Sequence, residues 1–332
     1  MLISRKLSFR LVAFLAAAMF FALPAQAQTK IKGIFNAGHI SILPLVIAQD
    51  QGFLAKRGIE LDLRYVQAGS QPIASLLSGD VQLFIGTGDG VTARLAGADV
   101  VYIMGFVKVA SWGLWTANDS PIKTIQDLKG RRLGTVGGLG GSARLMIEYL
   151  LLRNGMKLED VRVTQMATAT TTLAALKTGA IEVGTLLPPE SIWAQNDGMR
   201  LIARGRDQGW EAVSTSMMVM GDYLKKNRET IKGLIEAEME GAMVTQKDPA
   251  LAKKILKAAY KSDDDKFIDE LFDAFQNEYL LVPQPASASA YKGLLTQVTG
   301  TFPHAATVNP EEFVDRTPIE EIVKSGFADK LK

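Results

Sequence analysis

The strongest constraint on this chain is a sequence pattern that returns after one hundred residues. Ser75–Gly90 reads SLLSGDVQLFIGTGDG, and Ala175–Glu190 reads ALKTGAIEVGTLLPPE. Each copy predicts a helix end, a short apolar strand and a polar loop that leads into another helix. In open α/β sheets, such loops lie at the carboxyl edge of the strands, where ligands bind. Two copies therefore predict two lobes that share one cleft. The matched positions are Leu76 and Leu176, Gly79 and Gly179, and Val81 and Ile181.

Elements on either side of each copy follow the same order. The predicted strands of both halves are Ile31–Phe35, Ile59–Val66, Val81–Ile85, Val100–Val107, Arg132–Val136 and Leu158–Gln165. Right-handed βαβ crossovers predict that each sheet is largely parallel. The period is longer than that of solenoid repeats, which favours two lobes over an array. We expect the later helices to pack back on the first lobe: Asn227–Gln246, Pro249–Tyr260, Asp263–Asn277 and Ser287–Thr299.

Residues 1–27 have the pattern of a secretory signal peptide. Three basic residues precede the apolar run Leu11–Leu23, and a small-x-small motif follows at Ala25–Ala27. We expect cleavage between Ala27 and Gln28. The alternative, a membrane anchor helix, is disfavoured because the apolar run is too short to span a bilayer comfortably.

Net charge and cysteine content exclude several classes of function. The chain carries 37 Lys and Arg and 35 Asp and Glu; without the three basic residues of the first 27, the balance is 34 against 35, a net charge of −1. Nucleic-acid binding through a basic surface is therefore disfavoured. The chain has no cysteine, which excludes disulfides, thiolate metal sites and a lipid-modified cysteine anchor.

Four stretches resemble one family of transport proteins. Ala48–Gly58 reads AQDQGFLAKRG, Leu77–Gly90 reads LSGDVQLFIGTGDG, and Ile125–Gly141 reads IQDLKGRRLGTVGGLGG. The ending EEFVDRTPIEEIVKSG completes the set. Together they resemble the periplasmic substrate-binding proteins of ABC importers, in the nitrate/sulfonate/taurine group that includes thiamine-pyrimidine-precursor binders. Sulfonate-type members often carry Trp-Asp-Pro where this chain has Leu187–Pro189, a departure that leaves the ligand open.

The resemblance implies an α/β fold of the type II binding-protein class, with two lobes and a ligand cleft between them. Each lobe would be a mostly parallel sheet flanked by helices. Lobe 1 would hold residues 28–111, lobe 2 residues 112–222, and residues 223–332 would return to lobe 1. Two crossings, near Ser111–Leu114 and near Met217–Asp222, would form the hinge on which such domains close.

The implied role is solute capture. The resemblance implies a monomer in the periplasm that binds a small molecule and delivers it to an inner-membrane ABC permease, without cofactor or metal. No nucleophile elbow, Cys/His cluster or nucleophile–base pair at diagnostic spacing predicts an enzyme. Two alternatives stay open: an enzyme of the thiamine-pyrimidine-synthesis type on the same fold, and a sensor domain of a signalling system.

Candidate ligand-binding residues come from three facing loop pairs and the hinge. They are Asn36, His39, Ser41, Ser70, Gln71, Thr87, Asp89, Lys108, Trp112, Gly141, Ser142, Ala143, Thr170, Thr171 and Glu190. Gly141–Ala143 begins a predicted helix, and free N–H groups at a helix start suit an anion. The alternative is that Ser142 only caps this helix. The threonine hydroxyls suit a small neutral or anionic solute, but they are equally an ordinary helix start.

The charged and aromatic candidates allow a second kind of ligand. Asp89 or Glu190 would bind an amine; the alternative for Asp89 is that it caps the helix that follows it. His39 is one of two histidines in the chain, too few for a metal site without clustered carboxylates. Trp112 would stack on a ligand or pack, and Lys108 would pair with an anion or face solvent. A small organic anion, such as a sulfonate or carboxylate, is the favoured solute; the alternative is a neutral or amine-bearing, pyrimidine-like heterocycle.

Overall fold

The computed structural model describes residues 28–331 except 37, 67–70, 109–110, 138–140, 212 and 214. The predicted signal peptide and the candidate Ser70 lie outside the described residues. No helix in the described ranges is long and apolar enough to cross a membrane.

Ten strands in the described residues form two five-stranded sheets. They are β1 Thr29–Phe35, β2 Ile59–Tyr65, β3 Leu83–Gly86, β4 Val100–Gly105, β5 Gly113–Thr116, β6 Arg132–Val136, β7 Arg162–Met166, β8 Val183–Leu186, β9 Arg200–Arg204 and β10 Ser216–Met220. The first sheet has the order β2-β1-β3-β10-β4, and the second has the order β7-β6-β8-β5-β9. The two orders match strand for strand, as the sequence repeat predicts.

Helices cover these sheets. They are α1 Leu43–Asp50, α2 Gln71–Ser78, α3 Asp89–Leu95, α4 Ser142–Arg153, α5 Ala169–Lys177, α6 Glu190–Asn196, α7 Gly221–Lys226, α8 Arg228–Lys247, α9 Pro249–Tyr260, α10 Asp265–Phe275, α11 Ala288–Val298 and α12 Thr317–Lys324. A short 3₁₀ helix, His39–Ile42, leads into α1.

Each sheet is mostly parallel, with one antiparallel strand at the same place. In the first sheet β10 runs antiparallel to β3 and β4, and in the second β5 runs antiparallel to β8 and β9. Both are the strands through which the chain enters a sheet from the other lobe. The first sheet holds β1–β4 and β10 and the second holds β5–β9, so the chain crosses between the lobes twice, and the predicted two-lobed α/β fold is confirmed.

The second crossing lies earlier than the sequence indicates. The chain leaves the second sheet after Arg204 and joins the first at Ser216, because Ser216–Met220 pairs with β3 and β4. The expectation of a crossing near Met217–Asp222 is wrong, since an apolar run alone does not reveal which sheet it joins. We accordingly propose a lobe boundary before Ser216 in place of one at residue 222.

Two other predicted elements begin at different residues. Leu158–Asp160 forms a 3₁₀ turn rather than the start of a strand, because the Asp160 carboxylate accepts a hydrogen bond from the Lys157 N–H at 2.8 Å. The sequence also predicts a loop at 167–172, but α5 begins within it at Ala169, because the hydroxyl of Thr168 accepts a hydrogen bond from the Thr171 N–H.

The C-terminal helices pack against the first lobe, and two of them also contact the second. Helix α8 lies along α1, and α9 and α12 pack against α8. Gly241 permits the closest approach, since a Cβ there would lie 1.9 Å from the Pro44 carbonyl oxygen. Helix α10 contacts both His39–Ile42 and α6, and α11 contacts both α3 and α4, so these two helices bridge the lobes rather than packing only on the first.

Candidate functional site

A cleft of about 840 Å³ lies between the two sheets, at the carboxyl ends of their parallel strands. Its walls include the loops after β1, β3, β6 and β8, together with the ends of β2 and β7. This is the edge at which open α/β sheets bind ligands. A cavity of this size lies within the range of small-molecule sites.

Twelve of the fifteen candidate residues line this cleft. They are Asn36, His39, Ser41, Thr87, Asp89, Trp112, Gly141, Ser142, Ala143, Thr170, Thr171 and Glu190. Their contact with a ligand stays a prediction.

Two candidates lie elsewhere. Gln71 is exposed in the first turn of α2 and is not part of the lining. Lys108 is exposed, and its Nζ donates a hydrogen bond to the Asn277 carbonyl oxygen at 3.0 Å. The lysine therefore points to the loop after α10 and is not a cleft residue.

The start of α4 presents free hydrogen-bond donors to the cleft. Its N-cap is Gly141, which has no side chain to accept a bond, and the first helical bond runs from the Leu145 N–H to the Gly141 carbonyl oxygen. The N–H groups of residues 142–144 thus have no partner within the helix. A helix start of this kind favours negative charge.

Trp112 orients the serine at this helix start. Its indole Nε1–H donates to the Ser142 hydroxyl oxygen at 2.9 Å. Since this bond occupies a lone pair, the hydroxyl hydrogen points elsewhere, and no described residue accepts it. Ser142 is therefore not a helix cap but a donor available to a cleft ligand.

The threonines at the start of α5 divide into two roles. Thr168 and Thr171 form a capping box, in which the hydroxyl oxygen of each accepts the backbone N–H of the other at 3.0 Å. Thr170 lies between them and donates its hydroxyl hydrogen to Glu190 Oε1 at 2.7 Å. Helix capping thus explains Thr171, whereas Thr170 positions a carboxyl group of the cleft.

Two carboxyl groups lie at the starts of α3 and α6. Burial raises the pKa of Asp89, although its carboxylate accepts hydrogen bonds from its own N–H, the Thr87 N–H and the Asn36 side chain. Burial likewise raises the pKa of Glu190, against the bonds from Thr170 and from its own N–H. Each carboxyl group therefore accepts a hydrogen bond from an N–H group at the start of its own helix, and that N–H is not available to a ligand.

Tyr102 holds the Asp89 loop in place. The fully buried hydroxyl of this tyrosine donates to the Thr87 carbonyl oxygen at 2.7 Å and accepts from the Gly90 N–H at 3.0 Å. It fixes the backbone that presents Thr87 and Asp89 to the cleft. The sequence does not single out this residue, because it belongs to a uniformly apolar strand.

The described lining contains no lysine or arginine. The one basic side chain there is His39, whose pKa is lowered by burial, so it is neutral at pH 7. In this lining, helix starts rather than side-chain cations would thus attract an anion. Among the described residues no group of three or more His, Asp or Glu could hold a metal ion.

Aromatic rings form one side of the cleft. The His39 ring lies 6.0 Å from the Tyr65 ring in a stacked arrangement and 5.9 Å from the Tyr260 ring, edge to face. Trp193 stacks on Phe267 at 5.5 Å, and Phe267 meets Tyr260 at 6.0 Å. Of these rings, all but Phe267 line the cleft.

Sequence reasoning missed several lining residues. They include Tyr65, Gln165, Pro188, Pro189, Trp193, Thr215, Tyr260 and Phe275. Tyr65 and Gln165 are 100 residues apart, so the repeat itself carried a signal for that pair. Tyr260 and Phe275 end helices of the C-terminal region, for which the repeat offers no counterpart.

The fold and cleft are those of the two-lobed periplasmic binding proteins. A relative from Escherichia coli (strain K12), named for binding aliphatic sulfonates, is 28% identical over 233 residues, covering 68% of this chain and 70% of the relative. The structure of SsuA from Xanthomonas axonopodis pv. citri, an alkanesulfonate-binding protein bound to MOPS, matches with a TM-score of 0.71 at 19% identity. That match covers 87% of this chain and 99% of that one.

Family membership rests on the sequence. Residues 39–252 match the family described as NMT1/THI5 like, and the chain belongs to that family. The fold also occurs in an enzyme, since the desulfurization enzyme DSZB matches with a TM-score of 0.64 at 14% identity over 89% of this chain and 99% of that one. Fold alone therefore does not separate binding from catalysis.

Proposed function

We propose that this protein is a periplasmic solute-binding protein that captures a small organic anion by closing its two lobes, and delivers it to an ABC permease. The observation that carries the proposal is the uncapped start of α4, which faces a cleft between two lobes. The relative named for sulfonate binding supports the same class of solute.

Comparison of the helix starts in the cleft supports the start of α4 as the anion site. Helices α3 and α6 begin with Asp89 and Glu190, whose carboxylates bond to N–H groups of their own helix starts. The hydroxyl group of Thr168 caps the start of α5. Of these four described helices, only α4 has neither an acidic residue in its first turn nor a side chain that caps its start. A sulfonate or carboxylate there would also accept the free hydroxyl hydrogen of Ser142.

Substitution of Ser142 by glutamate tests the site. A carboxylate at this buried position would repel an incoming anion, and like charges placed together cost several kcal/mol, so affinity should fall by more than about a hundredfold. Isothermal titration with ethanesulfonate and hexanesulfonate measures the change. Ser325→Glu is the control, because it makes the same substitution on an exposed residue of the C-terminal region. Unchanged affinity in Ser142→Glu would contradict anion binding at α4.

One observation favours a second ligand, a neutral or amine-bearing heterocycle. The described lining holds two carboxyl groups and no lysine or arginine. Glu190→Gln separates the two ligands at pH 7, because it removes a negative charge while preserving shape. Anion affinity should stay level or rise, whereas amine affinity should fall by about tenfold or more, as expected for loss of a charged hydrogen bond. Titrations with ethanesulfonate and with 4-aminopyrimidine provide the readout.

Binding without turnover is the remaining part of the proposal. The described cleft contains no Cys and no cluster of metal ligands, and His39 packs among rings rather than beside a hydroxyl nucleophile. We propose that the solute leaves the protein unchanged and that the protein acts as a monomer. Incubation of the purified protein with its co-purified ligand checks this: recovery of intact ligand supports binding, and conversion of the ligand would establish an enzyme.

A further inference from the structure

We propose that the solute carries an aromatic ring, and that this ring stacks on the row of rings along one side of the cleft. Resting on the proposed function, the inference names the class of solute more closely. The aromatic wall is defined as the four lining rings Tyr65, His39, Tyr260 and Trp193.

The wall is continuous. Ring centroids follow one another at 6.0 Å from Tyr65 to His39 and 5.9 Å from His39 to Tyr260. The buried Phe267 joins the row to its far end, 6.0 Å from Tyr260 and 5.5 Å from Trp193. All four spacings lie in the range of 4.5–7 Å in which aromatic pairs attract each other. A solute ring would extend this row of five rings.

Both ends of the wall leave ring surface uncovered. Tyr65 is 51% exposed and Trp193 is 37% exposed, whereas Phe267, which joins the row, is 6% exposed. Large exposed rings that face a concave site are typical of ligand contacts, because burying them releases water from apolar surface. These two ends are the places where a ligand ring would gain most.

The two ends of the wall belong to different lobes. Tyr65 ends strand β2 of the first sheet, and Trp193 lies in α6, which follows β8 of the second. Trp193 already crosses to the first lobe through its stacking on Phe267 of α10. A solute whose ring stacks on one end of the wall and whose other groups reach the opposite lobe would favour the closed arrangement of the lobes.

The charges around the wall make ring contacts more important to affinity. With no lysine or arginine in the described lining, an anionic group receives hydrogen bonds but no paired side-chain charge. His39 is neutral because burial lowers its pKa, so it offers a ring face and not a cation. Apolar and ring contacts must then supply much of the binding free energy. An aliphatic solute would also bury apolar surface against the wall, but it would lack the attraction between ring quadrupoles that an aromatic solute gains.

Four matched probes test the proposal by titration of the intact protein: benzenesulfonate, cyclohexanesulfonate, benzylamine and cyclohexylmethylamine. Each pair keeps its charge and changes only the ring. The wall predicts that the aromatic member binds more tightly by about fivefold in whichever charge class binds, the gain expected of an aromatic pair. The proposed function separately predicts that the sulfonates bind and the amines do not. If only the amines bound, and benzylamine bound more tightly than cyclohexylmethylamine, the result would support the aromatic wall and contradict the proposal that the solute is an anion.

Three variants assign the preference to the wall. The solute ring stacks on one end of the wall, so either Tyr65→Leu or Trp193→Leu should remove the aromatic preference, while affinity for cyclohexanesulfonate changes less than about twofold. Trp193→Phe keeps a ring and should restore most of the preference, which a purely structural role would not predict. Tyr149→Leu is the control, because this tyrosine does not line the cleft. Thermal melting of each variant confirms that it folds.

Equal affinity for the two members of a binding pair would overturn the inference. So would an aromatic preference that survives in both leucine variants, since the ring would then bind elsewhere. Binding of none of the four probes would contradict the wall and the anion site together.

Discussion

Equivalent positions of the two lobes offer the cleft different chemistry. Tyr65 pairs with Phe35 at the end of β2, and Gln165 pairs with Thr135 at the matching place in β7. The first lobe thus presents rings where the second presents an amide and hydroxyls. The scaffold is repeated, but the side chains at its cleft edge are not. One lobe is suited to an apolar body and the other, with the open start of α4, to a negative group.

The lobes also differ in how they are supported. Helix α8 lies along α1 and covers the first lobe, and it has no counterpart among the described helices of the second. Its residues reach the core, where Leu234, Ile235 and Met239 are fully buried. Stability of the first lobe should therefore depend on residues far from the repeat. Substitutions in α8 test this difference.

Gly241→Ala should have the largest effect on stability. Its Cβ would lie 1.9 Å from the Pro44 carbonyl oxygen, so α1 and α8 would have to move apart. Overpacking of this kind lowers the free energy of unfolding by about 3 kcal/mol. Urea denaturation followed by circular dichroism measures the loss.

Gly293→Ala is the matched control, since this glycine of α11 has open space around its Cβ position. The control should be neutral or stabilising, because alanine favours helix more than glycine does. Equal destabilisation by both substitutions would show that close packing of α8 is not the cause.

Glu238→Gln should stabilise the protein at neutral pH. Glu238 is fully buried in α8, neither carboxyl oxygen has a hydrogen-bond partner, and burial raises its pKa well above the usual range. Because the pKa of Glu238 is raised in the folded protein, its protonated form contributes fully to stability below the ordinary glutamate pKa. This contribution is lost as the pH rises through the raised pKa. Glutamine avoids this charge, and the expected gain at pH 8 is about 2 kcal/mol.

Urea denaturation at pH 5 and pH 8 checks the effect of Glu238→Gln, which should be larger at pH 8. Glu159→Gln, on an exposed glutamate, is the control and should change stability little at either pH. A gain of the same size at both pH values would contradict a buried titrating carboxyl.

Anion affinity should rise as pH falls, by a smaller amount. The pKa values of Asp89 and Glu190 are both raised by burial, so these groups take up protons above the pH at which exposed carboxyls do. Protonation removes two negative charges from the cleft, and affinity for ethanesulfonate should increase on the order of fivefold between pH 7 and pH 5. The double variant Asp89→Asn, Glu190→Gln should flatten this dependence. If the affinity for ethanesulfonate instead decreased as the pH was lowered, the result would contradict this prediction and favour an amine as the solute.

The sequence predicts the scaffold better than the site. The matched stretches around Leu76 and Leu176 predict two similar sheets, because their glycines and apolar residues specify local structure. The crossing at Ser216 is missed, since an apolar strand does not indicate its sheet or its direction. Lys108 is misplaced because a residue near a hinge points to the cleft only if the backbone turns it there. Tyr260 enters the cleft from the end of α9, a tertiary contact that no local pattern encodes.

Mass spectrometry of the protein purified from the periplasm without denaturation tests the central claim most directly. One small molecule should accompany each chain, be released intact on unfolding, and prove to be an organic anion. The same preparation of Ser142→Glu should lack it, while Ser325→Glu should retain it. An equal amount of the molecule bound to Ser142→Glu would contradict capture at the start of α4.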